Sequence, residues 1–343
     1  MSSLVLSSAA CLSDGHKHVY DIQALNHNAK QCRLLAEMHG FSMRVVLKGG
    51  YLHPNIVGEL TQNPDLRFAL GKNNKNVLDL LQGRDIATLY PRQPLHRGGA
   101  KAFDRIVAAD ISDLGKSSES MEPEIIVPVA TSENREGLDF RDIADFVIET
   151  EDRYSDRVQI GGFQMNFGCL VEDSPRASEI QHLLDRLSIR EITCRLADAP
   201  VMSIGGSAVL PILDQLDVPK NYHSELRVGE AILTGSVPGG QHVFGLKPTS
   251  FVNASIVQEL RSNQKGIRRV LLDVGHTVFD DQATDRDYRG MRFESLSSDV
   301  AVAQIDTSRR TVDGAHVRLP LNYRETERAL ARHPNDISFL VGC

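Results

Sequence analysis

The chain has 343 residues, 41% of them hydrophobic and 24% charged, with a formal net charge of −7. That length suits one large domain plus a smaller one, and a mildly acidic balance without any local basic block argues against a general nucleic-acid or membrane-surface role. Cys11, Cys32, Cys169, Cys194 and Cys343 form no CxxC pair and no even-numbered framework, which argues against a zinc site or disulfide scaffold and fits a reducing, cytoplasmic setting.

The opening MSSLVLSSAAC lacks a basic start and a long apolar core, so it is read as an ordinary N-terminus. No apolar run approaches membrane-span length. Val19–Ile22 reads as a strand, and Leu25–His39 as a helix stopped at Gly40. Met43–Leu47 is the next strand, followed by a helix over Pro54–Leu60 with proline in its first turn. Leu66–Leu70, Asn76–Leu81, Ala87–Tyr90 and Ile106–Ala109 continue the alternation, and Glu124–Val129 is a buried strand. Helices over Phe140–Thr150 and Ser178–Leu187 alternate with strands at Val158–Phe163 and Val201–Ile204. A helix over Ser207–Leu216 and the Glu225–Leu233 segment close the series. About eight β-α units imply a parallel α/β fold, and periodicity leaves a barrel and a doubly wound sheet equally open. After GSVPGG at residues 235–240 come β-favouring runs at His242–Leu246, Arg268–Val274, Val300–Ile305, Ala315–Leu319 and Ile337–Val341, a mostly β domain. Between them, Ala283–Arg292 carries many charges and reads as an exposed loop.

Five stretches could carry chemistry. In MRVVLKGGYLHP, Lys48 ends an apolar strand beside two glycines; it is either a surface charge at a strand end or an amine able to bond a carbonyl. Ser203-Ile204-Gly205-Gly206-Ser207 is strand, glycine pair and helix start, the makings of a phosphate cradle or of a tight turn with Ser207 as N-cap. Leu226-Arg227-Val228-Gly229-Glu230 sets an arginine inside an apolar strand, where it needs a ligand or an internal partner such as Glu230. Asn134-Arg135-Glu136-Gly137 and Met165-Asn166-Phe167-Gly168 each follow a strand, at the end of a barrel where active-site groups collect. The 12 histidines show no helical ligand pair, so no metal site is expected.

In this order the motifs VVLK, NREG, MNFG, IGGS and LRVGEAILTG resemble the alanine-racemase-like family of fold-type III pyridoxal-phosphate (PLP) enzymes, with the ornithine racemase branch nearest. The resemblance covers roughly residues 18 to 240 and is most specific in the last motif. It implies an α/β fold with a (β/α)8 TIM-like barrel over residues 17–238 that binds PLP, and a smaller C-terminal mostly β domain over 239–343, to which residues 1–16 could add a strand. It also implies an amino-acid racemase acting on an ornithine-, lysine- or alanine-type substrate, in a homodimer with shared active sites. Carried across, Lys48 would bear PLP covalently and act as one acid/base at the substrate Cα. Ser207 and the amides of Gly206, Gly229 and Glu230 would hold the phosphate, and Arg227 would face the pyridine nitrogen. Asn166 would lie against the ring, Arg135 would reach the phenolic oxygen or the substrate carboxylate, and Tyr51 would touch the phosphate.

The family takes its second base from a tyrosine of the partner's β domain, and HVFGLKPTSFVNASIVQEL after Gly240 contains none. Ser297-Ser298-Asp299 matches the branch's S-S-D-H except for Val300 in place of histidine, which makes Asp299 the carry-over; His276, Tyr288 and Tyr323 are further candidates. A lyase or decarboxylase on the same scaffold, or a non-catalytic PLP-binding protein, are the alternatives.

Overall fold

The computed structural model describes residues 18–91, 103–110, 123–133, 136–154, 158–168, 175–188, 196–238, 243, 245–288, 290–308, 316–332 and 337–340. The chain forms two compact units: Leu25–Lys247, and the residues up to Ala24 together with those from Pro248.

The larger unit is a closed barrel of eight parallel strands: β2 (Ser42–Leu47), β3 (Arg67–Leu70), β4 (Ile86–Thr88), β5 (Arg105–Val107), β6 (Glu124–Pro128), β7 (Ile160–Asn166), β8 (Val201–Gly205) and β9 (His223–Val228). β9 closes on β2, with Arg227 level with Arg44 and Val228 with Val45. Strands covered on both faces read as near-continuous apolar runs, and β8 (VMSIG) is buried at every position. Gly162 in β7 has φ +137, and a Cβ there would stand 2.0 Å from the Val201 carbonyl oxygen, so this close approach of β7 to β8 admits only glycine.

Helices follow the strands as their end signals dictate. Ile22–Met38 is capped by Asp21, whose Oδ1 accepts from Ala24 N at 2.9 Å, and ends at Gly40 with φ +79, as expected of a C-terminal glycine. Pro54–Leu60 carries proline at its start, and His53 Nδ1 accepts from Asn55 N at 3.2 Å. The helix expected over Ser207–Leu216 forms as a 3-10 helix, Ser207–Gln215: Pro211 lies inside it and cannot donate to an i−4 carbonyl.

The interior of the barrel holds a charged layer that the apolar run Met43–Leu47 conceals. Arg44 is fully buried; its Nε donates to Glu225 Oε2 at 3.0 Å and its Nη1 to Asp85 Oδ1 at 2.8 Å. Arg105 Nη1 reaches the same Glu225 oxygen at 3.1 Å, and Ser203 Oγ donates to Glu225 Oε1 at 2.7 Å. Burial alone would push the Glu225 carboxyl up, but the two guanidiniums outweigh it and hold it at about 2.

The second unit is a seven-stranded sheet in the order β12-β13-β11-β10-β1-β15, with β14 also paired to β10. Its strands are β1 (His18–Asp21), β10 (Ser250–Leu260), β11 (Ile267–Leu272), β12 (Met291–Leu296), β13 (Ala301–Asp306), β14 (His316–Pro320) and β15 (Ile337–Leu340). The first strand, grouped with the barrel from sequence, therefore belongs to this sheet: it pairs antiparallel with β10 and parallel with β15. Two further expectations differ. Val243 and residues 245–249 form no strand, and His242 lies outside the described residues. Ala283–Arg292 is only in part an exposed loop: Ala283, Tyr288 and Met291 are buried and Arg286 bonds Asp280 at 2.5 Å and Glu325 at 2.9 Å, while Asp285, Asp287 and Arg292 stay exposed.

Candidate active site

The sequence-derived residues of the barrel gather at the C-terminal ends of neighbouring strands. Cα pairing sets Asn166 of β7 level with Gly205 of β8, and Gly205 level with Arg227 of β9. Lys48 follows β2 in extended geometry (φ −150, ψ 161), after which Gly49 turns with φ +57 into the 3-10 turn Gly49–Leu52. Tyr51 in that turn is fully buried, and its amide donates to Lys48 O at 3.2 Å. Space for the lysine stem comes from Gly71 after β3, where a Cβ would fall 2.7 Å from Lys48 Cβ. A cleft of about 390 Å³ opens beside the turn, lined by Gly49, Gly50, His53, Lys72 and Asn74.

Arg227 is 2% exposed. Its Nη2 donates to Met165 O at 2.8 Å and to Asn166 Oδ1 at 2.7 Å, and its Nη1 donates to Gln164 Oε1. Gln164 is held in turn by Nε2 donating to Leu89 O at 3.2 Å. The guanidinium lies over β8 because Gly205 has no side chain: a Cβ there would sit 2.8 Å from Nη2 and 2.9 Å from Asn166 Oδ1. Asn166 Nδ2 donates to Glu136 Oε1. These three acceptors of Arg227 are all on β7; Glu230, suggested from sequence, accepts from Ser236 Oγ at 3.2 Å.

Gly206 precedes the 3-10 helix, and Gly229 precedes the short helix Glu230–Thr234. These two starts are tied together, since Ser207 Oγ accepts from Ala231 N at 3.0 Å. The oxygen is used there as an acceptor, which leaves its own O–H to donate. Gly229 packs on β2, where a Cβ would stand 3.3 Å from Val46.

Arg135, with Asn134, lies outside the described residues. Asp299 belongs to the other unit, exposed in the bend between β12 and β13. His276 is exposed on an adjoining loop, its amide donating to Ser297 O at 2.8 Å. Tyr288 packs edge-on to Phe279 and Phe293 in the sheet core, where burial pushes its phenol up. Tyr323 opens the helix Tyr323–Arg332. Sequence reasoning passed over two residues that shape the barrel site, Gln164 and Gly71, and gave Glu136 and Gly205 no role beyond the motifs that contain them. Strand alternation marks Gln164, two positions before Asn166 and on its face, and Glu136 sits inside the NREG stretch already singled out. Among the described residues no His, Cys, Asp or Glu cluster could hold a metal, and no helix is long and apolar enough to cross a membrane.

No family model and no curated protein matches the sequence. Solved structures do match in fold. The biosynthetic alanine racemase of Pseudomonas aeruginosa superposes with a TM-score of 0.70 at 14% identity, covering 96% of this chain and 99% of that one. An alanine racemase of Bartonella henselae with covalently bound pyridoxal phosphate gives 0.67 at 15% identity, covering 96% and 99%. A D-threo-3-hydroxyaspartate dehydratase gives 0.65 at 12% identity, covering 93% of each chain. The eight-stranded parallel barrel and separate mostly β unit of this chain are therefore the alanine racemase fold.

Proposed function

We propose that the chain is a PLP-dependent amino-acid racemase that interconverts the L and D forms of an ornithine-, lysine- or alanine-type substrate, in a homodimer with shared active sites. The observation that carries this is the set of groups at one end of the barrel: an amine at the end of β2, a buried guanidinium on β9, and a hydroxyl tied between two helix starts after β8 and β9. Those residues fit the cofactor. The missing side chains at Gly71 and Gly205 leave room around Lys48 and Arg227, where a Cβ would crowd each. The fold itself is shared with a racemase that carries PLP covalently.

When bound, PLP draws electron density from Cα as its proton leaves. Lys48 would hold the cofactor through its amine, and once the substrate's amine displaces it, the lysine amine would be free to take or return the Cα proton on one face. Arg227 donates toward the ring nitrogen but keeps its own proton, because a guanidinium does not deprotonate in a protein. That limits electron withdrawal and restrains side reactions. Ser207 O–H and the amides of Gly206, Gly229 and Glu230 bind the phosphate, using donors that helix starts leave without intrahelical partners. Tyr51 adds a contact to the phosphate, Asn166 lies against the ring, and Arg135 reaches the phenolic oxygen or the substrate carboxylate. Asp299, exposed on the β unit, serves the opposite face from a second copy of the chain.

A second reading, a PLP-dependent lyase, has its own support: residues 241–260 lack a tyrosine, and a dehydratase shares the fold. Enantiopure amino acids in deuterated buffer separate the two. Racemisation gives Cα deuterium and loss of optical rotation with no new product, whereas a keto acid, amine or aldehyde refutes it. Borohydride reduction of PLP-loaded protein should fix the cofactor to Lys48 in peptide maps; a Lys48→Ala protein that still fixes it elsewhere in the barrel overturns the assignment.

A further inference from the structure

After β6, residues 129–131 and 136–138 are anchored so that one carboxylate meets the Asn166 side chain. In the first stretch, Thr131 Oγ1 donates to Asn166 O at 3.0 Å. In the second, Leu138 pairs beside Val129, with Leu138 N donating to Pro128 O at 2.8 Å and Ala130 N to Leu138 O at 3.0 Å. Gly137 makes that closure possible: its φ is +124, and a Cβ would lie 2.4 Å from the Val129 carbonyl carbon. Between these anchors Glu136 Oε1 accepts from Asn166 Nδ2, while Asn166 Oδ1 accepts from Arg227 Nη2 at 2.7 Å.

The chemistry dictates which way this amide points. A guanidinium only donates and a carboxylate only accepts, so one orientation of Asn166 satisfies both, and it lines up anion, amide and buried cation. Removing the anion relaxes both constraints: the amide loses its fixed sense, and the guanidinium loses a counter-charge one amide away.

We propose that Glu136 is a positioning residue for Arg227: through the Asn166 amide it fixes the guanidinium's orientation and offsets its charge, and so tunes the group that faces the ring nitrogen of the cofactor. This rests on the PLP assignment above, and the experiment keeps the two apart. Pyridoxine 5′-phosphate carries the ring nitrogen but has no aldehyde to bond Lys48; its 1-deaza analogue lacks that nitrogen. Binding of both to wild type, Glu136→Gln, Glu136→Asp, Asn166→Ala and the Glu136→Gln/Asn166→Ala double variant is measured by fluorescence or calorimetry. Glu136→Gln weakens pyridoxine phosphate by about tenfold and leaves the deaza analogue within about twofold, as expected for loss of a charged hydrogen bond acting through Arg227. Glu136→Asp, which restores the charge, recovers part of the loss. The double variant is no weaker than Asn166→Ala alone, because the relay is already cut at its middle. Equal losses for both ligands, or additive losses in the double variant, overturn the role. Failure of wild-type protein to bind either ligand overturns the PLP assignment and the role with it.

Discussion

Replacing Glu225 by glutamine should destabilise the barrel by an amount that depends on pH in a defined way. The carboxylate is 2% exposed and meets Arg44 at 3.0 Å, Arg105 at 3.1 Å and Ser203 at 2.7 Å. Its pKa is held at about 2 against an ordinary 4.5. At about 1.4 kcal/mol for each tenfold change in proton affinity, the ionised form contributes about 3 kcal/mol to stability at neutral pH. Because the folded-state value is depressed, that contribution is fully present above 4.5 and is lost as pH falls toward about 2. Glutamine keeps the shape and cannot ionise, so the difference between wild type and Glu225→Gln should be about 3 kcal/mol at pH 7 and about half that or less at pH 3. Two units need not unfold together, so the measurement is urea dependence of hydrogen exchange at the β2 and β9 amides, which reports opening of the barrel itself. A difference that stays constant from pH 7 to pH 3, or lies below about 1 kcal/mol at pH 7, refutes the claim that ion pairing holds this carboxylate ionised.

Gly205→Ala places a methyl 2.8 Å from Arg227 Nη2, and should cost about 1–3 kcal/mol in chemical unfolding while sharply reducing retention of PLP. Gly71→Ala would set a methyl 2.7 Å from Lys48 Cβ, an atom that cannot swing aside, so it should lower thermal stability as well as slow cofactor attachment, seen as slower borohydride-fixable loading. Cys32 is 1% exposed, and burial pushes its thiol up to about 12; it should resist maleimide in native protein at pH 8 and react only on unfolding, as read by mass spectrometry.

How much of this was legible in the sequence follows from which contacts are local. The barrel strands, the glycine stops and the places of Lys48, Ser207 and Arg227 depend on residues within a few positions of each other, and those signals survive into the fold. The partner of a strand is another matter. His18–Asp21 followed by a helix looks like any β-α unit, and nothing in those residues announces pairing with β10 and β15, more than 220 residues later. β10 itself escaped notice because its burial alternates only in its first half and its far end is exposed. Arg44 hid for the same reason, since its counter-ions are 181 and 41 residues away. Yet strand alternation connects it to the site: residues 44, 46 and 48 share one face of an extended chain, as do 225 and 227. Each of β2 and β9 therefore carries a charge of the buried layer near its middle and a group of the candidate site nearer its end. The layer of Arg44, Arg105 and Glu225 holds in register the two strands that present Lys48 and Arg227. An arginine in the middle of an apolar strand, four residues before the lysine, was thus itself a sign of a polar barrel interior beneath a working site.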